Sequence, residues 1–341
     1  MGSHRRTAHP GLDRSTRVTV LTVAAAGAAA ALGAAPAGAA PHDRPADTKA
    51  EVDRLYEQAE KATESFNQAD ERADKLRKEL SASQDQVARG QERINRMRQA
   101  LGMVAGAQYR SGGMDPSLAL MFSSDPDAYL DKASALDRIG ARQAGDLAEL
   151  QSAQRDLAQV RAEAQRKLAE LERSRKAVAR HKRSVESKLA KARQLLNSLP
   201  ATERAAFERA SRSSSRPDLS GAGAASSARA ATALAAAQSA LGRPYIWGAN
   251  GPSGFDCSGL MQWSYAQAGV GLPRTSQAQR YAGQQVPLSA AQPGDLVAYG
   301  SDAHHIGIYA GNGQVIHAPY PGAPVRYDPV GMMPVSSVTR V

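Results

Sequence analysis

From Val52 onward, apolar or small residues recur at alternating steps of three and four. Val52, Leu55, Phe66, Leu76, Leu80, Val87, Ile94, Met97 and Leu101 mark this register, with charged residues between them. A second register runs through Leu147, Leu150, Leu157, Leu168, Leu171, Val178, Val185, Leu189, Leu196 and Leu199. It is the leakier seam, because Gln154, Arg161, Arg175 and Lys182 interrupt it. A hydrophobic period near 3.5 with charged flanks is the signature of helices that pair along a stripe. Between the registers, Ser111-Gly112-Gly113-Met114-Asp115-Pro116 breaks the helix, and the apolar run 118–122 would form a small packed tip. The spacing predicts two long helices over 48–199, folded as an antiparallel coiled-coil hairpin, with pairing between chains as the alternative. At 1.5 Å per residue, a helix of about 60 residues reaches roughly 90 Å.

The pattern changes further along. Residues 211–228 are rich in Ser, Gly and Ala, lack an apolar period and read as a flexible linker. An Ala-rich helix is predicted over 229–241, ending at Gly242, and a second over 260–269. Beyond Pro293-Gly294-Asp295 the period becomes two, which predicts short strands at 296–299, 306–309 and 314–317 with Gly/Asn/Ser/Asp turns between them. Helices followed by an antiparallel sheet make an α+β domain. At the other end, Arg5, Arg6, Arg14 and Arg17 precede an uncharged run, 18–40, that closes on Ala37-Gly38-Ala39. This is the layout of a secretory signal peptide, favoured over a membrane anchor because the run is mostly Ala and Gly and lacks a stop-transfer charge cluster. The expected organisation is therefore a signal peptide at 1–40, a helical domain at 41–210, the linker at 211–228 and a compact domain at 229–341. The mature protein is expected outside the cytoplasm, as a secreted protein.

Charge sharpens the split. The 341 residues carry 43 Lys+Arg against 33 Asp+Glu, a net charge of +10. The segment 230–341 holds only Arg243, Arg274, Arg280, Arg326 and Arg340 against Asp256, Asp295, Asp302 and Asp328, so it is nearly neutral. In the helical segment the basic residues alternate with acidic ones, as on a solvated helix surface, which argues against nucleic acid as a partner. Attraction to anionic wall polymers fits an exported protein better.

The chain has one cysteine, which excludes an internal disulfide and a Cys-rich zinc site. Cys257 follows Asp256 at a predicted helix start, where Asp256 can cap the helix and the helix terminus favours a thiolate. His305 opens one predicted strand and His317 closes the next, so a hairpin can make them neighbours. Nucleophile, base and a group that orients the base are the parts of a thiol hydrolase. A zinc site built from His304 or His305, His317 and Asp302 is the competing reading.

Six ordered blocks then carry a family resemblance: Gly242-Arg243-Pro244-Tyr245-Ile246-Trp247-Gly248, Phe255-Asp256-Cys257-Ser258-Gly259-Leu260, Leu272-Pro273-Arg274-Thr275-Ser276, Pro293-Gly294-Asp295-Leu296-Val297, His305-Ile306-Gly307-Ile308-Tyr309 and Ile316-His317-Ala318-Pro319. Together they resemble the NlpC/P60 cell-wall peptidases, over roughly residues 229–341. The resemblance implies a papain-like α+β fold and cleavage of peptidoglycan stem peptides, typically at the γ-D-glutamyl–diaminopimelate bond, with no metal or cofactor. It places Cys257 on the nucleophile, His305 on the base and His317 on the third polar position. Tyr245, Asp256 and Ser258 fall on positions that line the substrate site. Two features depart from the usual pattern: Ala249 stands where a second glycine is common, and His304 sits beside the expected base. The helical half also resembles the front ends of secreted actinobacterial members and is expected to restrain or position the enzyme. It would do so by covering the cleft or by docking to a membrane or divisome regulator. An idle wall-binding scaffold and an acyltransferase using the same cysteine are the rival functions.

Overall fold

The computed structural model describes residues 45–110, 126–212, 217, 220, 221 and 223–341. The signal-peptide reading and the apolar tip at 118–122 lie outside these residues. Helix α1 (Pro45–Arg110) and helix α2 (Pro126–Ser198) are the two long helices the pattern predicts. They pair antiparallel. Val52, Leu55, Tyr56 and Ala59 pack on Val185, Leu189 and Ala192; Ala73 and Leu76 pack on Leu171; Ile94 packs on Ala153 and Leu157. The leaky second seam has a visible consequence, since Leu147 and Leu168 are nearly half exposed, as is Val104 on α1. Ion pairs such as Arg93–Glu149 link the exposed flanks, where each pair contributes little in water. Among the described residues no helix is long and apolar enough to cross a membrane.

One seam assignment is corrected. Phe66 does not complete the α1–α2 stripe; it meets Trp247 edge-on, with ring centroids 5.2 Å apart. The linker also begins later than expected. Helix α3 (Ala201–Arg212) runs through its first two residues, and buried Ser211 hydrogen-bonds the Tyr320 hydroxyl at 2.8 Å.

The compact domain starts with α4 (Ala228–Ser239), capped by the Ser227 hydroxyl. Next come α5 (Cys257–Gln267) and a single turn, α6 (Ser276–Gln279). Six strands follow: β1 (Gln284–Val286), β2 (Leu296–Tyr299), β3 (His305–Gly311), β4 (Gln314–His317), β5 (Arg326–Pro329) and β6 (Val335–Arg340). They form one antiparallel sheet in the order β1-β6-β2-β3-β4-β5. Strands β2, β3 and β4 are those the alternation predicts, whereas β1, β5 and β6 carry no clean period. One sheet face packs Leu296, Ile306, Ile308 and Ile316 against Leu260, Met261 and Tyr265 of α5 and the alanines of α4. The α+β expectation holds, and this contact sets the N-terminus of α5 against the start of β3.

Leu189 is buried under α1, next to the part of α1 that meets the compact domain. Leu189→Ala should destabilise the protein by about 2–5 kcal/mol through lost burial and a cavity, measured by urea denaturation. A loss below about 1 kcal/mol would mean that this seam is not a packed core.

Candidate active site

The segment Tyr245–Phe255 curls back so that Ile246 N donates to Phe255 O at 2.9 Å and Asp256 N to Ala249 O at 2.9 Å. This delivers Asp256 to the N-cap of α5, where its carboxylate accepts from Gly259 N at 2.6 Å. Gly259 is required there, because a Cβ would lie 2.2 Å from the Ala249 carbonyl oxygen. Ala249 itself sits in this loop with an ordinary φ, so the missing second glycine leaves the turn intact. Asp256 also receives Gly248 N at 2.9 Å and the Arg274 guanidinium at 2.6 and 3.0 Å. A buried carboxylate needs this many donors to offset lost hydration.

Cys257 is thereby the first residue of α5, and it is buried. His305 and His317 meet as the hairpin predicts: His305 Nε2 lies 2.7 Å from His317 Nδ1, with the rings edge to face. His317 Nε2 in turn lies 2.8 Å from Asp328 Oδ2 on β5, which also accepts from Arg326 Nε at 2.8 Å. Burial pushes the His317 pKa down to about 4; the His305 and Arg326 charges act in the same direction and Asp328 opposes them. Burial would raise the Asp328 carboxyl, but hydrogen bonds and charge from His317 and Arg326 hold it below the usual range. His304, the neighbour that complicated the sequence reading, turns its ring to Asp302 instead.

Tyr245 is buried, and its phenol is pushed far up by burial, then by charge on Cys257, Glu60, Asp256 and Glu64. Ser258 is buried beside Cys257 and accepts from Arg274 at 3.0 Å. All six residues singled out in the sequence thus gather at the junction of α5 with the sheet.

The helical half was expected to cover the cleft, but the sequence pattern did not single out the residues that do so. A stripe of α1 fills the site: Glu64 accepts from Ser258 Oγ at 2.7 Å, Ser276 N at 2.9 Å and Cys257 Sγ at 3.7 Å. One turn earlier, Glu60 Oε1 lies 3.3 Å from His305 Nδ1, and one turn later Asn67 Nδ2 donates to Asp256 Oδ2 at 3.1 Å. Phe66 rests on Gly248, where a Cβ would come within 3.2 Å of the ring, and Tyr56 stacks on Tyr320 at 4.9 Å. A cavity of about 870 Å³ remains alongside, lined by Glu57, Glu60, His305, His317, Tyr320 and Asp328 among others. In this arrangement the Cys257 thiol is pushed well up, first by burial and then by Glu64, Asp256 and Glu60. This reverses the thiolate expected at a helix start. Arg274 and Asp328 were also missed. Their signal was the small charge inventory, because each Asp of the compact domain has a cationic or imidazole partner.

Residues 242–338 match the model of the NlpC/P60 family. The compact domain belongs to that family, a family of cysteine peptidases. A Corynebacterium glutamicum protein named "Probable endopeptidase Cgl2188" is 50% identical over 105 residues, which is 31% of this chain and 50% of that protein. The Mycobacterium tuberculosis "Probable endopeptidase Rv2190c" is 50% identical over 95 residues, 28% of this chain and 25% of that one. The crystal structure of the NlpC/p60 domain of the peptidoglycan hydrolase SagA is 36% identical, covering 33% of this chain and 98% of that chain with a TM-score of 0.32. The similarity to these curated relatives therefore spans half of their length or less, and it falls within the NlpC/P60 domain.

The α1 contact has a pH dependence. With α1 docked, burial first and the Asp256 charge second raise the Glu64 pKa from 4.5 to about 7. The docked state then binds this proton more tightly than the released one. Docking is strongest below pH 4.5, weakens as pH rises toward 7 and levels off above it. In a Trp263→Phe protein, Trp247 is the remaining tryptophan, and its fluorescence should report a transition in this window. Glu64→Gln should flatten that transition; an unchanged transition would exclude Glu64 as its source.

Proposed function

We propose that this protein is a secreted cell-wall hydrolase that cleaves peptidoglycan stem peptides, with Cys257 as nucleophile, His305 as base and His317 orienting the base. The reading is carried by a buried thiol and a hydrogen-bonded histidine pair on α5, β3 and β4, inside the segment matched to the NlpC/P60 family. The γ-D-glutamyl–diaminopimelate bond is the target that the family resemblance implies. Tyr245, Asp256 and Ser258 line the approach to the sulfur, and Asp256 additionally fixes the helix start.

In this mechanism His305 takes the Cys257 proton and the sulfur attacks the amide carbonyl. N–H groups at the start of α5 stabilise the oxyanion. Collapse expels the amine, which takes the proton from His305. Water, deprotonated by His305, then hydrolyses the thioester and restores the thiol. Cys257→Ala should abolish release of soluble fragments from purified peptidoglycan, followed by mass spectrometry. Undiminished release would exclude a cysteine hydrolase. Fragment masses locate the bond, and an amine adduct in the presence of added amine would reveal acyl transfer instead.

The enzyme is also latent in this reading. The Cys257 thiol points to Glu64, Glu60 sits at the base, and the substrate carbonyl has no route to the sulfur until α1 moves. Release would come through the hairpin, whose far end exposes Met103, Val104, Tyr109, Leu130 and Ile139 to a membrane or divisome regulator. Glu64→Lys and Phe66→Ala in the full mature chain should each raise fragment release about tenfold or more. Rates equal to the unmodified chain in both variants would reject latency, and no release from any variant would favour an idle scaffold.

A further inference from the structure

We propose that Asp328 is a positioning residue that fixes the direction in which a proton can pass along His317 and His305. This rests on the hydrolase reading, because the relay ends at the nucleophile.

The direction follows from hydrogen-bond chemistry. Asp328 is an ionised acceptor and has no proton to give. His317 is neutral near pH 7, so it carries one N–H. With Asp328 Oδ2 at 2.8 Å from Nε2, that N–H is on Nε2, and Nδ1 is left bare. The bare Nδ1, 2.7 Å from His305 Nε2, must accept from it. His305 therefore keeps a proton on Nε2 and exchanges its second proton through Nδ1. That nitrogen has no hydrogen-bond partner and lies 3.3 Å from Glu60 of α1. Glu64, one turn further along α1, meets the Cys257 sulfur. Thus Nδ1 of His305 and the sulfur of Cys257 face the same stripe of α1, where substrate would enter.

The groups around the histidine pair do not replace Asp328. Arg326, on the same strand, is cationic and is held by Asp328 and the Ser211 carbonyl. The Tyr299 ring on β2 lies 5.9 Å from His305 by ring centroids. From α1 comes Glu60, on the Nδ1 side of His305, and the Cys257 thiol of α5 meets Glu64 of the same helix. A purely structural Asp328 would need only Arg326, yet the oxygen that receives Arg326 Nε is the one that receives His317.

An amide in place of this carboxylate removes the direction. In Asp328→Asn the side chain can turn its NH₂ toward Nε2, which permits the His317 tautomer protonated on Nδ1. That tautomer donates to His305 Nε2 and drives the His305 proton onto Nδ1, where it can no longer accept from Cys257.

The test uses the full mature chain and has two arms. Long-range ¹H–¹⁵N NMR should find the proton of His317 on Nε2 in the unmodified protein and a mixed population in Asp328→Asn. Stem-peptide hydrolysis by Asp328→Asn should fall about 10- to 100-fold in kcat, with KM within about twofold. A His317 proton on Nδ1 in the unmodified protein would overturn the proposal, even if the variant does not fold. So would retained kcat, or a loss confined to KM. If neither the unmodified chain nor its Glu64→Lys and Phe66→Ala variants hydrolyse stem peptide, the hydrolase reading fails separately. The tautomers then decide: a mixed population in Asp328→Asn supports the relay, and an unchanged one overturns it.

Discussion

A carboxylate taken out of water must fill its lone pairs with donors from the protein, and Asp256 does so from several directions at once. Its oxygens receive Gly259 at the start of α5, Gly248 in the preceding loop, Arg274 from the segment before α6 and Asn67 from α1. Breaking a fully buried charge pair of this kind costs several kcal/mol, because the partner is stranded without solvent. The position of Cys257 is a consequence: the residue after the cap has no freedom to leave the helix start. The loop carrying Trp247 and the Ser258 hydroxyl are fixed by the same charge.

The histidine side of the site has a different origin. Strand pairing puts His305 and His317 within 2.7 Å, and a second carboxylate, Asp328, closes the chain from β5. The two sides meet where α5 packs on β3. The outer side of that junction is filled by α1, whose Glu60, Glu64 and Asn67 fall on one face at helical spacing. Their polar atoms replace water on polar groups that the open site would otherwise hydrate. Such a contact is exchangeable, since each hydrogen bond lost on undocking can be remade to solvent or to a peptide.

The two long helices were legible because a 3.5-residue period needs only local geometry, and three strands were legible because alternation does too. Cys257 and the histidine pair were readable from the helix cap, the hairpin and the ordered blocks around them. Strands β1, β5 and β6 were not, because β1 is short and largely exposed and neither β5 nor β6 alternates cleanly between buried and exposed positions. Phe66 was misread for a related reason. It sits in register with the seam, yet its partner is Trp247, 181 positions away in the chain.

Composition and periodicity by themselves determined a charged helical hairpin, a nearly neutral α+β domain and the residue types of a thiol site. Only the tertiary structure decided what the polar stripe of α1 does. Glu60, Glu64 and Asn67 look in sequence like any solvated helix face, because hydration and burial against polar partners select the same side chains. Which of the two holds depends on the surface opposite, and that surface comes from residues about two hundred positions later. The same is true of Cys257. A helix start alone favours its thiolate, whereas burial among Glu64, Asp256 and Glu60 favours the thiol.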